Sequence, residues 1–535
     1  MMDTPLSVAS LIERAEKYFP KKEVISRTHS GIEHFTYEEI GKRTRSLSSQ
    51  LEKLGVKKGD RVGTLAWNHH RHLEVYFAAP SMGAVLHTIN IRLSAEHLIY
   101  IINHAEDKVL LIDSDLLPLI ENVKDKLITV ETFIVMSDEK EVPESSIDGL
   151  LSYEQLVADG DATYKFRGDI AEEDPAGMCY TSATTGKPKG VVYTHRGIVL
   201  HSTALSMADT TAISESDRVM PVVPMFHVNA WGMPFVSTML GATQVLPGPM
   251  MTPKIIAEMM EEYGVTISAG VPTIWLGLLQ ELQKGTYDTS SLRAVLCGGS
   301  AAPRFMIQSY ESDFNIPFMH AYGMTETSPI VTVARLKSYQ TDLPEEERLD
   351  ILSRQGHVVP GLEIKVVKDN GEEVSADGEE MGELLIRGPW IADEYYKDDR
   401  TKDAFKDGWL YTGDVVTIDE EGSIKIIDRM GDLIKSGGEW ISSVDLENVL
   451  MAHPTVFEAA VVSMPDPKWQ ERPVACVVFK ENQEATEAEL LEFLKPQFAK
   501  WWLPDEIVFM DELPKTSVGK FLKRDLREKI REKKK

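Results

Sequence analysis

Between residues 37 and 113 the hydrophobic period switches back and forth, and that switching is the tightest constraint on the fold. In FTYEEIGKRTRSLSSQLEKLGV, Ile40, Leu47, Leu51 and Leu54 recur at helical spacing with charges between them. DRVGTLAW (60–67) then reads as a strand and LEVYFAAPSMGA as a helix, and AVLHTIN, SAEHLIYIINHA and KVLLIDS continue the alternation. Strand–helix–strand succession requires crossovers, which are right-handed, so the expected fold is α/β, with largely parallel, doubly wound sheets covered on both faces. A second round runs from GVTISAGVPTIWLGLL (264–279) through LRAVLCGGS (292–300) to IPFMHAYGMTET (316–327). Its short apolar strands end in Gly- and Ser-rich turns. Ligands of open parallel sheets gather at the carboxyl ends of strands, so CGGSAAP and AYGMTET are candidate site loops.

The pattern changes near 362–428. There LEIKVV, GELLIRG, WLYTGDVVTID and GSIKIIDR alternate in twos, the mark of antiparallel strands in a small barrel-like subdomain, placed at about 355–428. From 430 onward a compact α+β unit is expected, with strands near 456–463, 473–479 and 506–510 and helices at 441–452 and 487–500. The tail FLKRDLREKIREKKK reads as a basic, solvated helix that admits contact with an anionic ligand or a membrane surface. At 535 residues the chain exceeds one compact core.

Composition excludes some functions. The net charge is −27, from 57 basic against 84 acidic residues, so no basic excess exists to neutralise a nucleic acid. Cys179, Cys297 and Cys476 match no metal-ligand spacing, and the N-terminus lacks the basic and apolar regions of a signal peptide. Reduced, buried thiols and a cytoplasmic location are therefore expected. Residues 219–253 hold no Asp, Glu, Lys or Arg, but Pro221, Pro224, Pro234, Pro247, Pro249 and Pro253 interrupt any membrane-length helix. This stretch is expected as buried core or the wall of an apolar cavity.

Residues 180–190, YTSATTGKPKG, combine hydroxyls, glycines and lysines, which is what a phosphate chain needs. The Walker pattern fails, because Thr181 stands at its first glycine position and Pro188 follows Lys187. Taken alone the run also admits a plainer reading, a polar turn between strands. With HAYGMTET (320–327), GWLYTGD (408–414), IDRMGDLIKSGGEWIS (427–442) and PKTSVGK (514–520), it resembles in order the motifs of the adenylate-forming superfamily. That superfamily comprises acyl-CoA synthetases, peptide-synthetase adenylation domains and luciferases. PVVPMFHVNAW, QVLPGPM, VLCGGSAAPR and PKWQERP are locally similar to bacterial fatty acyl-CoA synthetases and to methylthiopropionate-CoA ligases.

The resemblance implies an N-terminal AMP-binding domain over 1–430 and a mobile C-terminal domain over 431–535, hinged at Gly431. It implies ATP, Mg²⁺ and CoA, and a two-step ligation through an acyl-adenylate. Thr181, Ser182, Ala183, Thr184, Thr185, Gly186 and Lys187 would wrap the terminal phosphates, with Lys189 behind them; the family usually carries Gly where Ala183 stands. Thr181 and Glu326 would hold the metal ion. Gly299, Ser300 and Ala301, with His320, Ala321, Tyr322, Gly323, Met324 and Thr325, would line the nucleotide pocket, Tyr322 stacking on adenine. Asp414 and Arg429 would meet the ribose, Lys435 and Trp440 would lie near the nucleotide, and Lys520 would cover the α-phosphate during adenylation alone. Gly437 and Gly438 would border the pantetheine arm of CoA. His227 and Trp231, four apart, would share one face of the acid pocket if this piece is helical, and the resemblance makes Trp231 its gate. The acid implied is a medium- or long-chain fatty acid. Short acids, including methylthiopropionate, are one alternative, and a carrier-loading adenylation domain is another. Relatives of this local type often form dimers, so a homodimer is expected.

Overall fold

The computed structural model describes every residue except 1, 3, 182–185, 438, 517, 518, 534 and 535. Most of the chain builds two large sheets. One has nine strands, in the spatial order 357–358, 330–333, 318–323, 294–297, 267–270, 218–221, 243–246, 23–27 and 32–36. Its middle is parallel, with Val295 beside Phe318 and Cys297 beside His320, and antiparallel strands close both edges. The other has seven strands, ordered 151–152, 132–136, 107–113, 61–65, 85–88, 175–180 and 190–194. It is parallel except for its last pair, a hairpin.

Helices cover these sheets where the periodicity asked for them. Tyr37–Lys53 begins at Thr36, whose hydroxyl accepts from the Glu39 backbone while the Glu39 carboxylate accepts from the Thr36 backbone. His70–Ser81 is buried along its whole length, sandwiched between layers. Strands 294–297 and 267–270 are buried at every position, as central parallel strands must be. Trp275, fully buried, anchors the following helix by donating from Nε1 to the carbonyls of Gly270 at 3.0 Å and Leu296 at 3.1 Å.

The uncharged stretch 219–253 is buried at nearly every position, as core. Among the described residues no helix is long and apolar enough to cross a membrane. The three cysteines are buried and form no disulfide among the described residues.

Two smaller sheets follow. Strands 363–367, 382–387, 405–406, 409–418 and 424–429 form an antiparallel five-stranded sheet. The C-terminal sheet contains 434–436, 439–441, 456–466, 470–479 and 506–509, packed with helices Ser443–Met451, Glu487–Leu494 and Lys523–Lys533. The second of these ends six residues short of the expected 487–500. Lys495 keeps helical angles, with φ −53° and ψ −39°, but Pro496 after it has no N–H to donate and cannot continue the ladder of helix hydrogen bonds.

Candidate active site

The phosphate-type loop is the turn of the hairpin between strands Pro175–Tyr180 and Gly190–Thr194. Its mouth is closed by two bonds: Thr181 N donates to the Lys189 carbonyl at 2.9 Å, and Lys189 N donates to Thr181 Oγ1 at 3.1 Å. Ser182, Ala183, Thr184 and Thr185 lie outside the described residues. Lys187 is exposed, with its Nζ 4.8 Å from the centre of the Tyr100 ring. Lys189 turns the other way, into the protein, and donates to the Tyr395 hydroxyl at 2.8 Å. Burial lowers the Lys189 ammonium pKa, against the opposing effect of Glu326.

Glu326 sits on a single turn, Thr325–Thr327, directly after the parallel strand Phe318–Gly323. It is 4% exposed, and its Oε1 accepts from Tyr395 at 2.6 Å with Lys189 Nζ 3.9 Å away. Asp414 is equally buried. Its Oδ2 accepts from the Tyr322 hydroxyl at 2.6 Å and its Oδ1 from Arg429 Nε at 2.9 Å. The sheet register creates the second contact, since Asp414 and Arg429 are direct partners on adjacent antiparallel strands. Burial and the neighbouring Asp414 carboxylate both push the Tyr322 phenol pKa up.

Lys520 closes the group. Its loop is held by Thr516 N to the Lys520 carbonyl at 2.6 Å and by Lys520 N to Thr516 Oγ1 at 3.1 Å. The side chain runs past Gly299, where Cε comes within 3.6 Å of the point a β-carbon would occupy. Gly299 has φ +87°, so this position suits glycine both for its backbone and for the lysine's approach. Burial, then Arg429, lowers the Lys520 pKa to about 8, with Asp414 and Glu326 opposing. His227 is held near 3 by burial and by Lys520. Lys520, Arg429, Asp414, Glu326, Gly299 and His227 are thus gathered from five separate stretches of chain.

The remaining pocket residues are framework. Gly323 is packed against the Pro329 carbonyl, where a β-carbon would stand 2.0 Å from the oxygen. His320 bridges the Ala302 amide and the Ser353 carbonyl, and its pKa is lowered to about 4 by burial. The Thr325 carbonyl accepts from Tyr193. Ala321 and Thr325 are buried, Met324 and Ala301 half-buried, and Ser300 exposed.

The helix expected to align His227 and Trp231 is absent. Val228, Asn229, Ala230 and Trp231 all have φ between 45° and 56°, a left-handed turn that Gly232 extends at 77°. The same-face argument therefore fails. Left-handed backbone costs about 1–2 kcal/mol for each non-glycine residue and persists only where packing fixes it. Here Asn229 Oδ1 accepts from Thr88 Oγ1 at 3.2 Å, and the Trp231 ring lies 3.3 Å from the β-carbon position of Gly298. Trp231 still reaches the strand end that carries Gly299, by a different backbone route.

Lys435, Trp440 and Gly437 are not brought to this cluster. Lys435 and Trp440 face each other across the hairpin 434–441, with Lys435 Nζ 5.2 Å from the Trp440 ring centre. Gly437 lies against Trp469, donating to its carbonyl at 2.7 Å. Gly438 lies outside the described residues.

The motifs gave no sign of Tyr395 or Arg400. Arg400 donates from Nη1 to the Lys187 carbonyl at 3.0 Å while its other nitrogens pair with Asp398. The only local signal was the aromatic pair within IADEYYKDDR.

Among the described residues no three His, Cys, Asp or Glu side chains form a ready-made metal cage. One buried carboxylate beside a phosphate-type loop instead suits Mg²⁺, which takes few protein oxygens and shares phosphate oxygens. Glu326 has that character: it is buried, and Tyr395 and Lys189 both approach it at Oε1.

The AMP-binding enzyme family matches residues 12–396, and the AMP-binding enzyme C-terminal domain matches residues 445–520. The chain belongs to this family. It is 51% identical over 535 residues to a long-chain-fatty-acid–CoA ligase of Thermus thermophilus, covering 99% of this chain and 97% of that protein. It is 44% identical to a 3-methylmercaptopropionyl-CoA ligase of Ruegeria lacuscaerulensis, covering 99% and 98%. Among solved structures, an anthranilate CoA ligase in complex with anthranoyl-AMP superposes with a TM-score of 0.88 at 26% identity, over 98% of both chains.

Proposed function

We propose that this protein is an AMP-forming acid–CoA ligase acting on medium- or long-chain fatty acids. In the first step the fatty carboxylate attacks the α-phosphorus of ATP, the bond to the bridging oxygen breaks, and pyrophosphate leaves. In the second the CoA thiolate attacks the acyl carbonyl and AMP leaves. The observation that carries this reading is the convergence of Lys520 and Arg429 with Asp414 and Glu326 beside the mouth of the phosphate hairpin.

Each residue has a task that its surroundings support. Lys187 and Lys189 neutralise the departing pyrophosphate, and the exposed position of Lys187 lets it leave Tyr100 for an anion. Thr181 and Glu326 would hold Mg²⁺, which supplies charge neutralisation on phosphate oxygens. Asp414, gripped by Tyr322 and Arg429, is oriented to accept from ribose hydroxyls while the Tyr322 ring is offered to adenine. Lys520 places its ammonium where the carboxylate and α-phosphate meet, a preorganised charge of the kind that contributes most to such steps. The hairpin that carries Gly437 stands apart, so this arrangement is that of the adenylation step. The domain boundary falls at 430/431. Apart from its chain neighbours, no described atom stands within 4 Å of the position a Gly431 β-carbon would take, and glycine itself accepts a wide range of backbone angles.

Pyrophosphate release over acids from C2 to C18, with aryl and thioether acids included, tests this reading. Release peaking at medium or long chains supports it. A maximum at methylthiopropionate would favour the short-acid reading, which rests on the 44% identical relative. CoA and a carrier protein compared as acceptors separate the ligase from a carrier-loading domain. We further infer a cytoplasmic homodimer, which light scattering of the purified chain and localisation of a tagged copy would test.

A further inference from the structure

The hydroxyl of Tyr395 lies between two charged groups that the proposed reaction needs separately. Lys189 Nζ donates to it at 2.8 Å, and it donates to Glu326 Oε1 at 2.6 Å. The two charges stand 3.9 Å apart, beyond direct hydrogen-bond distance. The ammonium also lies 4.0 Å from the centre of the tyrosine ring, so the ring cradles the charge that the hydroxyl positions.

Tyr395 is held by its own chain and by both sides of the site. Its N–H donates to Thr401 Oγ1 at 2.9 Å, and its ring packs edge-on against Phe405. Three residues earlier, Ala392 N donates to the Glu326 carbonyl at 2.8 Å. One residue later, Tyr396 N donates to the Gly190 carbonyl at 2.9 Å. The segment 392–401 therefore fastens the Glu326 turn to the phosphate hairpin, with Tyr395 at the crossing.

We propose that Tyr395 is a positioning residue for adenylation, a hydroxyl spacer that keeps the Lys189–Glu326 pair from closing into a direct hydrogen bond. A direct bond would commit a lysine donor to the carboxylate and draw Glu326 away from a metal ion. The spacer leaves the ammonium two further N–H donors for phosphate oxygens, and it leaves Glu326 Oε2 for the ion. Without the hydroxyl, nothing in the Lys189–Tyr395–Glu326 chain holds the two charges apart, and they collapse onto each other.

This inference rests on the ligase reading, and its test separates the two. Tyr395→Phe keeps the ring over Lys189 and against Phe405 and removes the spacer alone. Acid-dependent pyrophosphate exchange is expected to fall about tenfold, as suits loss of a hydrogen bond to charged groups. Calorimetric ATP titrations at stepped Mg²⁺ should need several-fold more Mg²⁺ to reach half-maximal affinity. Thioesterification of supplied acyl-adenylate should stay within about twofold of the unmodified protein. Unchanged exchange and Mg²⁺ dependence in the variant would overturn the role, as would equal loss of both half-reactions, which marks a merely structural tyrosine. If the unmodified protein exchanges pyrophosphate with no acid, the ligase reading fails. The Mg²⁺ dependence of ATP binding then still decides whether Tyr395 holds its neighbours apart.

Discussion

Lys520 carries a charge that its surroundings resist. Burial and Arg429 lower its pKa from 10.5 to about 8, so above pH 8 the neutral amine predominates in the free enzyme. If the ammonium is the active form, kcat/KM for pyrophosphate exchange should hold up to about pH 8 and fall tenfold per unit beyond it. The decline in kcat should come later, because bound ATP is a polyanion and favours the ammonium. Thioesterification of supplied acyl-adenylate should lack this limb, and a shared limb would detach Lys520 from adenylation. Lys520→Ala should abolish acyl-adenylate formation and spare the second half-reaction. Trp231 invites a different measurement, since it sits on strained backbone against Gly298. Trp231→Ala should widen or flatten the acid-length profile with little change in ATP affinity. An unaltered profile would end its role as gate, because each methylene admitted contributes about 0.8 kcal/mol of burial.

Elements explain which of these features a reader of the sequence could find. The doubly wound sheets followed from periodicity alone, because buried parallel strands and amphipathic helices impose different periods on the same chain. The Asp414–Arg429 pair was legible through motifs, and its cause is register between neighbouring strands. The turn at 228–231 was hidden, since no local preference selects left-handed backbone for Val, Ala or Trp; contacts with Thr88 and Gly298, distant in sequence, fix it. The segment 392–401 was hidden for the opposite reason. Its run of charged residues carries no motif, and the value of Ala392, Tyr395, Tyr396 and Arg400 lies in distant partners at 326, 189, 190 and 187. Arg400 tests the segment's other end. Arg400→Ala removes the bond to the Lys187 carbonyl and a positive charge beside the phosphate hairpin. KM for ATP should rise several-fold while KM for the acid stays within twofold, in steady-state kinetics with each substrate varied. Equal shifts in both would assign Arg400 to general stability.

At the scale of the whole molecule, the orientation seen here is held by contacts that span Gly431. Lys425 Nζ pairs with Asp445 Oδ1 at 2.9 Å, and Ser443 N donates to Asp428 Oδ2 at 3.0 Å. Both link the strand before the glycine to the helix Ser443–Met451 after it. The rotation about Gly431 proposed above would break them, so under that proposal they favour the adenylating arrangement over the thioester-forming one. The Lys425–Asp445 pair is partly exposed, and such pairs contribute about 0.2–1 kcal/mol. That is small against the stability of a domain but enough to shift a two-state balance up to about fivefold. Reversing the charge with Asp445→Lys replaces attraction by repulsion while leaving every residue of the proposed site in place. Single-turnover adenylation should slow by a few-fold, and thioesterification of supplied acyl-adenylate should hold or accelerate. The effect should shrink as salt is raised, because the charges face solvent. A variant in which both half-reactions change together, or in which the change ignores salt, would show that these contacts do not set the balance between the two orientations.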